Sequence, residues 1–173
     1  MSNVTQMNDV TEKTGNVTES FFGLLRYAID EAAPKPEIRV EEWPVLFKMA
    51  QQQAIAGVLF HGVERYKKEG DCATTEVPRE VVLQWFALAE QIRKQNRVLN
   101  DRCVKIAEEF REEGFSVCVL KGQGNAVIYP NVYSRMSGDI DLLVSCNNCN
   151  SKKKHVQEII RYVRTKNPDG KAT

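Results

Sequence analysis

The sequence predicts an α+β fold, with a helical bundle first and a small sheet with flanking helices after it. Three observations lead there. A stripe of apolar positions in steps of three and four, with Asn96 midway on it, runs from Val82 to Phe110. Two short β-branched runs, FSVCVL (115–120) and DIDLLV (139–144), follow it. Between them the hydrophobic period changes at Gly114 from about 3.6 to about 2, the change that separates helix from strand.

The composition suits an ordinary globular chain: 173 residues, 42% hydrophobic and 27% charged. Twenty-four Lys and Arg oppose 23 Asp and Glu, a net charge of +1, so no global field calls for nucleic acid or an anionic membrane. Apolar runs such as Phe21 to Leu25 are too short to span a bilayer. The N-terminus lacks a basic stretch followed by an apolar one, so no secretory signal is visible. Five cysteines, an odd number, point to free thiols and a cytoplasmic protein.

Residues 1–17 are polar and rich in Thr and Asn, which reads as a flexible arm. Thr18 is placed to cap a helix through FFGLLRYAIDEA, stopped by Pro34 and Pro36. A second helical stretch begins near Glu41, with Pro44 tolerated in its first turn and Gly57 marking a break. The long helix runs from Pro78 to Gly114, with Asn96 midway on its apolar stripe and Gly114 as its left-handed cap. The helical region thus covers 18–114. A β–turn–α–loop–β–α core then covers 115–166: strand FSVCVL, the turn KGQG, a short helix NAVIY, a loop through YSRMSG, strand DIDLLV and a helix from Ser151 to Lys166. Residues 167–173 form a polar tail.

The chemistry concentrates between Leu120 and Val144. On a strand, Asp139 and Asp141 share a face while Ile140 and Leu142 take the other. Two such carboxylates repel unless a cation or donors neutralise them, and an oxygen-preferring divalent ion, Mg²⁺ or Mn²⁺, does so economically. Gly122 and Gly124 sit between a strand and a helix, where backbone N–H groups approach a phosphate, and Lys121 and Arg135 add positive charge. A phosphate cradle beside a carboxylate pair suggests metal-assisted phosphoryl or nucleotidyl transfer. Alone, each half is weak; the joint arrangement is more specific.

The order LKG…IYP…SR…GDIDLLV resembles the bacterial family of uncharacterised nucleotidyltransferases, within the superfamily of DNA polymerase beta and the small antibiotic-modifying nucleotidyltransferases. The resemblance rests on about twenty-five residues and implies a nucleotidyltransferase-type mixed β-sheet, here partial. It implies Asp139 and Asp141 as catalytic metal ligands and a phosphate-binding turn at Lys121, Gly122, Gln123 and Gly124. Lys121 near the triphosphate and Arg135 ordering the loop or pairing a carboxylate complete the nucleotide-binding set. Two departures stand out. Gln123 occupies the position where the superfamily has a Ser hydroxyl, and no later strand supplies a third carboxylate. Glu158 falls inside a helix and Asp169 in the tail. The chain is then either a piece of a longer protein or a natural short form.

Other constellations carry less. Cys146 and Cys149 make one C-x-x-C with His155 nearby, but structural zinc needs a second pair, so the spacing is read as fortuitous. From Cys146 onward, seven Lys or Arg stand against Glu158 and Asp169, a local net of +5. That stretch reads equally as a solvated helix face or as a surface for nucleic acid or a triphosphate. The leading function is transfer of a nucleoside monophosphate from an NTP to an acceptor hydroxyl on a small molecule, protein or nucleic acid. The alternative is a non-catalytic nucleotide-binding or interaction module that keeps the fold.

Overall fold

The computed structural model describes residues 17–69, 77–136, 138–146 and 151–166. The expected arm and polar tail lie outside these residues, except that Val17 is already helical. Among the described residues six α-helices, one 3₁₀ turn and two strands follow one another, and the chain divides into two compact units. The first takes the described residues up to Arg97 together with Ala126–Met136; the second takes Val98–Asn125 and the described residues from Gly138 onward. The architecture is α+β, as the sequence pattern implies.

Helix α1 occupies residues 17–29. Thr18 therefore lies within it, and the helix ends ahead of the prolines because Asp30 turns the chain: its Oδ1 accepts the Ala32 N–H at 2.9 Å. Arg65 supplies the rest of the C-terminal capping, donating to the carbonyls of Tyr27 (3.1 Å), Asp30 (3.0 Å) and Glu31 (2.8 Å). A 3₁₀ turn, Val40–Glu42, leads into α2 (Trp43–Gln52), with Pro44 in its first turn as expected. The break before α3 (Ala56–Lys68) falls at Ala54, whose φ is 55°, and not at Gly57. Gly57 matters for its size instead. A Cβ there would sit 2.3 Å from the Ser134 carbonyl oxygen, so only glycine admits that neighbouring segment.

Helix α4 (Arg79–Glu112) is close to the expected long helix, closed by Gly114 at φ 84° with its N–H on the Arg111 carbonyl at 2.9 Å. Its buried stripe is Val81, Trp85, Ala89, Ile92, Asn96, Cys103 and Ala107, one position earlier than expected at the start. Trp85 is wholly buried in the first unit, and its indole N–H donates to the Ala56 carbonyl at 2.8 Å. Trp43 packs edge-to-face on Tyr66 at 5.1 Å. Glu42, only 2% exposed, accepts hydrogen bonds from Ser20 Oγ (3.0 Å), the Arg39 N–H (3.0 Å) and Arg39 Nη2 (2.9 Å). Burial raises its pKa, but these bonds and the guanidinium charge outweigh that and hold it below the ordinary glutamate value.

In the second unit, β1 (Phe115–Leu120) pairs antiparallel with β2 (Asp141–Cys146), Phe115 opposite Cys146 and Leu120 opposite Asp141. Phe115, Val117, Val119, Leu142 and Val144 turn inward; Cys118, Leu120, Leu143 and Asp141 are exposed. The second strand begins at Asp141 rather than Asp139. Helix α5 is the short turn of Gly122–Ala126 between the strands, and α6 (Lys152–Lys166) follows the second. Helix α6 starts beneath Ser151, whose Oγ accepts the Lys154 N–H at 3.4 Å. Its Tyr162 ring closes a cluster with Phe110 (4.9 Å) and Phe115 (5.6 Å). Cys103 and Cys118 are free thiols, whereas Cys146 is disulfide-bonded. This corrects the reading of five free thiols: an odd count forbids complete pairing but leaves room for one bond. No helix among the described residues is long and apolar enough to cross a membrane.

Candidate functional site

The turn after β1 is sharper than a loop and shorter than expected. Lys121 and Gly122 both adopt left-handed backbone, at φ 45° and 31°. That reversal starts α5 at once, and the Asn125 N–H bonds the Lys121 carbonyl at 3.0 Å. The expected helix over NAVIY therefore begins inside the glycine turn and is over by Val127. Left-handed φ suits glycine and strains lysine, so Lys121 is held there by its surroundings.

Two side-chain facts explain the hold. A Cβ on Gly124 would lie 2.5 Å from the Val119 carbonyl oxygen, so only glycine lets α5 sit this close to the strand that precedes it. Gln123 is 9% exposed, and its Nε2 donates to Asn100 Oδ1 on α4. The Gln123 amide is thus engaged with a helix. Asn100 carries no distinguishing signal in the sequence beyond being a polar residue beside the apolar stripe.

Register joins this turn to the carboxylates. Leu120, the last residue of β1, faces Asp141, the first of β2, so Lys121 follows one residue past the pair. Paired Cα atoms stand about 4.5–5.5 Å apart, which sets the turn and Asp141 at one end of the sheet. Asp139 and Asp141 are exposed and Ile140 is half-buried, the alternation expected of a chain entering a strand. Lys121 and Gly124 are exposed, Gly122 buried. Arg135 belongs to the other unit, where Asn96 Nδ2 donates to the carbonyls of Tyr133 (2.7 Å) and Arg135 (2.6 Å). Asn96, conspicuous as a polar residue on an apolar stripe, is explained by that strap.

Among the described residues, no group of three or more His, Cys, Asp or Glu is placed to hold a metal ion. The donor set is two exposed carboxylates. Such a set fits Mg²⁺, which commonly takes one or two carboxylates and completes its shell with water and substrate phosphate oxygens. His155, which lies near the C-x-x-C, is a structural link. Its Nδ1 accepts the Cys146 N–H at 3.2 Å, and Nε2 lies 3.4 Å from the Val144 carbonyl, tying α6 to β2. The remainder of the C-x-x-C lies outside the described residues.

Residues 39–155 match the family model described as uncharacterised nucleotidyltransferase. The chain belongs to this family. The match covers more than half of the chain and takes in both halves of the candidate site, from Lys121 to Asp141. It runs from Arg39 to His155, so the elements from the Arg39–Glu42 turn through β2 fall within the matched region, and most of α6 lies beyond it. No curated protein and no solved structure matches the chain.

Proposed function

We propose that this nucleotidyltransferase moves a nucleoside monophosphate from an NTP to an acceptor hydroxyl, releasing pyrophosphate. The observation that carries the proposal is the Leu120–Asp141 register, which gathers the strained Lys121–Gly124 turn and the acidic pair at one sheet end. Asp139 and Asp141 would hold a divalent ion, Mg²⁺ or Mn²⁺, which when bound neutralises charge on the phosphates. Lys121, exposed on a turn locked by Gly124 and by Gln123 to Asn100, would pair with the triphosphate. Backbone N–H groups of the same turn would donate to phosphate oxygens. Arg135 would order its own segment, which Asn96 already straps. We read the chain as a bacterial member of the polymerase-beta-like superfamily, a reading that the motif order supports.

The second reading, a nucleotide-binding module without turnover, draws on one observation. No third acidic ligand accompanies Asp139 and Asp141 among the described residues. One experiment separates the two. The chain is incubated with α-labelled NTPs and Mg²⁺ over a panel of hydroxyl acceptors, beside an equilibrium binding measurement. Transfer of label that needs Mg²⁺ supports the enzyme; metal-linked binding without transfer supports the module; no metal-linked binding removes both.

A further inference from the structure

We propose that the outward face of α6 binds the phosphate backbone of a nucleic acid, and that a nucleic-acid strand is therefore the acceptor. The second half rests on the transferase reading above; the first stands without it.

The chain as a whole is nearly neutral, yet α6 carries six Lys or Arg against one acid, Glu158. At about 100° per residue, Lys153, Lys154, Arg161 and Arg164 fall within an arc of about 100°. All four are exposed. Gln157 lies inside the same arc, so the stripe contains no carboxylate; Glu158 sits at its margin. Lys153 to Arg164 spans about 17 Å of helix, at about 1.5 Å per residue. A shallow depression of about 560 Å³ lies beside the C-terminal half of the stripe, lined by Gln157, Ile160, Arg161, Arg164 and Thr165.

Among the described residues these four cations make one weak ion pair. Arg161 reaches Glu158 at 3.8 Å with both side chains largely exposed, a weak surface pair. Lys153, Lys154 and Arg164 make no ion pair among the described residues. Nor do the lysines help the helix. Basic residues in the first turn oppose the positive end of the helix dipole, and that turn has no acid to offset them. On the other side of the helix Tyr162 packs on Phe110 and Phe115, His155 bonds the backbone of β2, Ile159 and Val163 are half-buried, and Val156 is exposed. Among the described residues of α6 that leaves Val156 as the one exposed large apolar side chain, where an interfacial helix needs a broad free apolar face to enter lipid. What remains outward is a polar, positively charged array with a fixed repeat, which suits a phosphate backbone.

The placement also suits an acceptor. Tyr162 and His155 anchor α6 at the Phe115–Cys146 end of the sheet, and Asp141 stands at the other end. Five strand steps separate the two, about 17 Å. At about 3.4 Å per stacked nucleotide, about five nucleotides cover that distance.

The test is fluorescence anisotropy of the full chain with labelled single-stranded RNA, single-stranded DNA and duplex, at about 50 and 200 mM salt. With about three or four phosphates neutralised on a single strand, Kd should rise about twenty- to fifty-fold between the two salts. The combined variant K153E, K154E, R161E, R164E should lose at least about tenfold in affinity with its circular dichroism unchanged. Should that variant fold poorly, the matching Lys→Gln and Arg→Gln set should show the same loss to a smaller degree. No salt-dependent binding to any oligonucleotide, or binding unaffected by both variants, overturns the proposal. So does binding to phosphatidylserine vesicles, but not oligonucleotides, that the variants abolish. Oligonucleotide binding without any nucleotidyl transfer would uphold the α6 surface and overturn the transferase. Transfer to a small hydroxyl acceptor without oligonucleotide binding would do the reverse.

Discussion

The core of the helical unit and the acidic end of the sheet are built on opposite principles. Around Trp85 and Trp43 the side chains are wholly buried and interlocked, and a buried carboxylate, Glu42, is satisfied three times over. At the sheet end, Asp139, Asp141 and Lys121 stand exposed to solvent, on a backbone that is strained at Lys121. Like charges left adjacent and a lysine in left-handed conformation add nothing to folding. The contrast teaches where stability is placed and where it is given up: the helices keep the chain folded, while glycine, Gln123 and strand register hold a costly arrangement open.

The comparison breaks most severely at Trp85. Trp85→Ala removes the largest buried side chain of α4 and the partner of the Ala56 carbonyl, and should cost about 3–5 kcal/mol in urea or thermal unfolding. A loss under about 1 kcal/mol would mean the helical core is not where stability resides. Gly124→Ala comes next. Its Cβ must push α5 from the Val119 carbonyl, at about 1–3 kcal/mol, and NTP binding should weaken with it. Unchanged stability and binding would show that α5 can shift without consequence.

A smaller effect tests Glu42. Its pKa is lower in the folded chain than in the unfolded one, so the stabilisation is present above the unfolded-state value and is lost as pH falls through the folded-state value. Glu42→Gln should cost about 1–3 kcal/mol at neutral pH and flatten the acid side of a stability–pH profile. An acid limb identical to that of the parent chain would contradict the assignment.

Much of this structure is legible in the sequence where the cause is local. The stripe of α4, the Gly114 cap, Pro44 in a first turn and both strands follow from period and turn chemistry acting over a few residues. What escapes is non-local. Gly57 has the local look of a helix breaker because its partner, the Ser134 carbonyl, is far away in the chain and invisible to periodicity. The break falls instead on Ala54, whose left-handed conformation no local preference announces. At the site, a glycine turn after one strand and an acidic pair entering the next are legible, but the Gln123–Asn100 bond and the onset of helix within the glycine turn are not. The Cys146 disulfide also escapes, because cysteine counting constrains pairing only in total.

The most direct measurement is on the acidic pair. Asp139→Ala with Asp141→Ala removes two exposed side chains and should change unfolding free energy by no more than about 0.5 kcal/mol. The same variant, titrated with NTP by calorimetry with and without Mg²⁺, should lose the metal-dependent part of nucleotide binding altogether. Metal-dependent NTP binding that survives the double substitution would contradict the account.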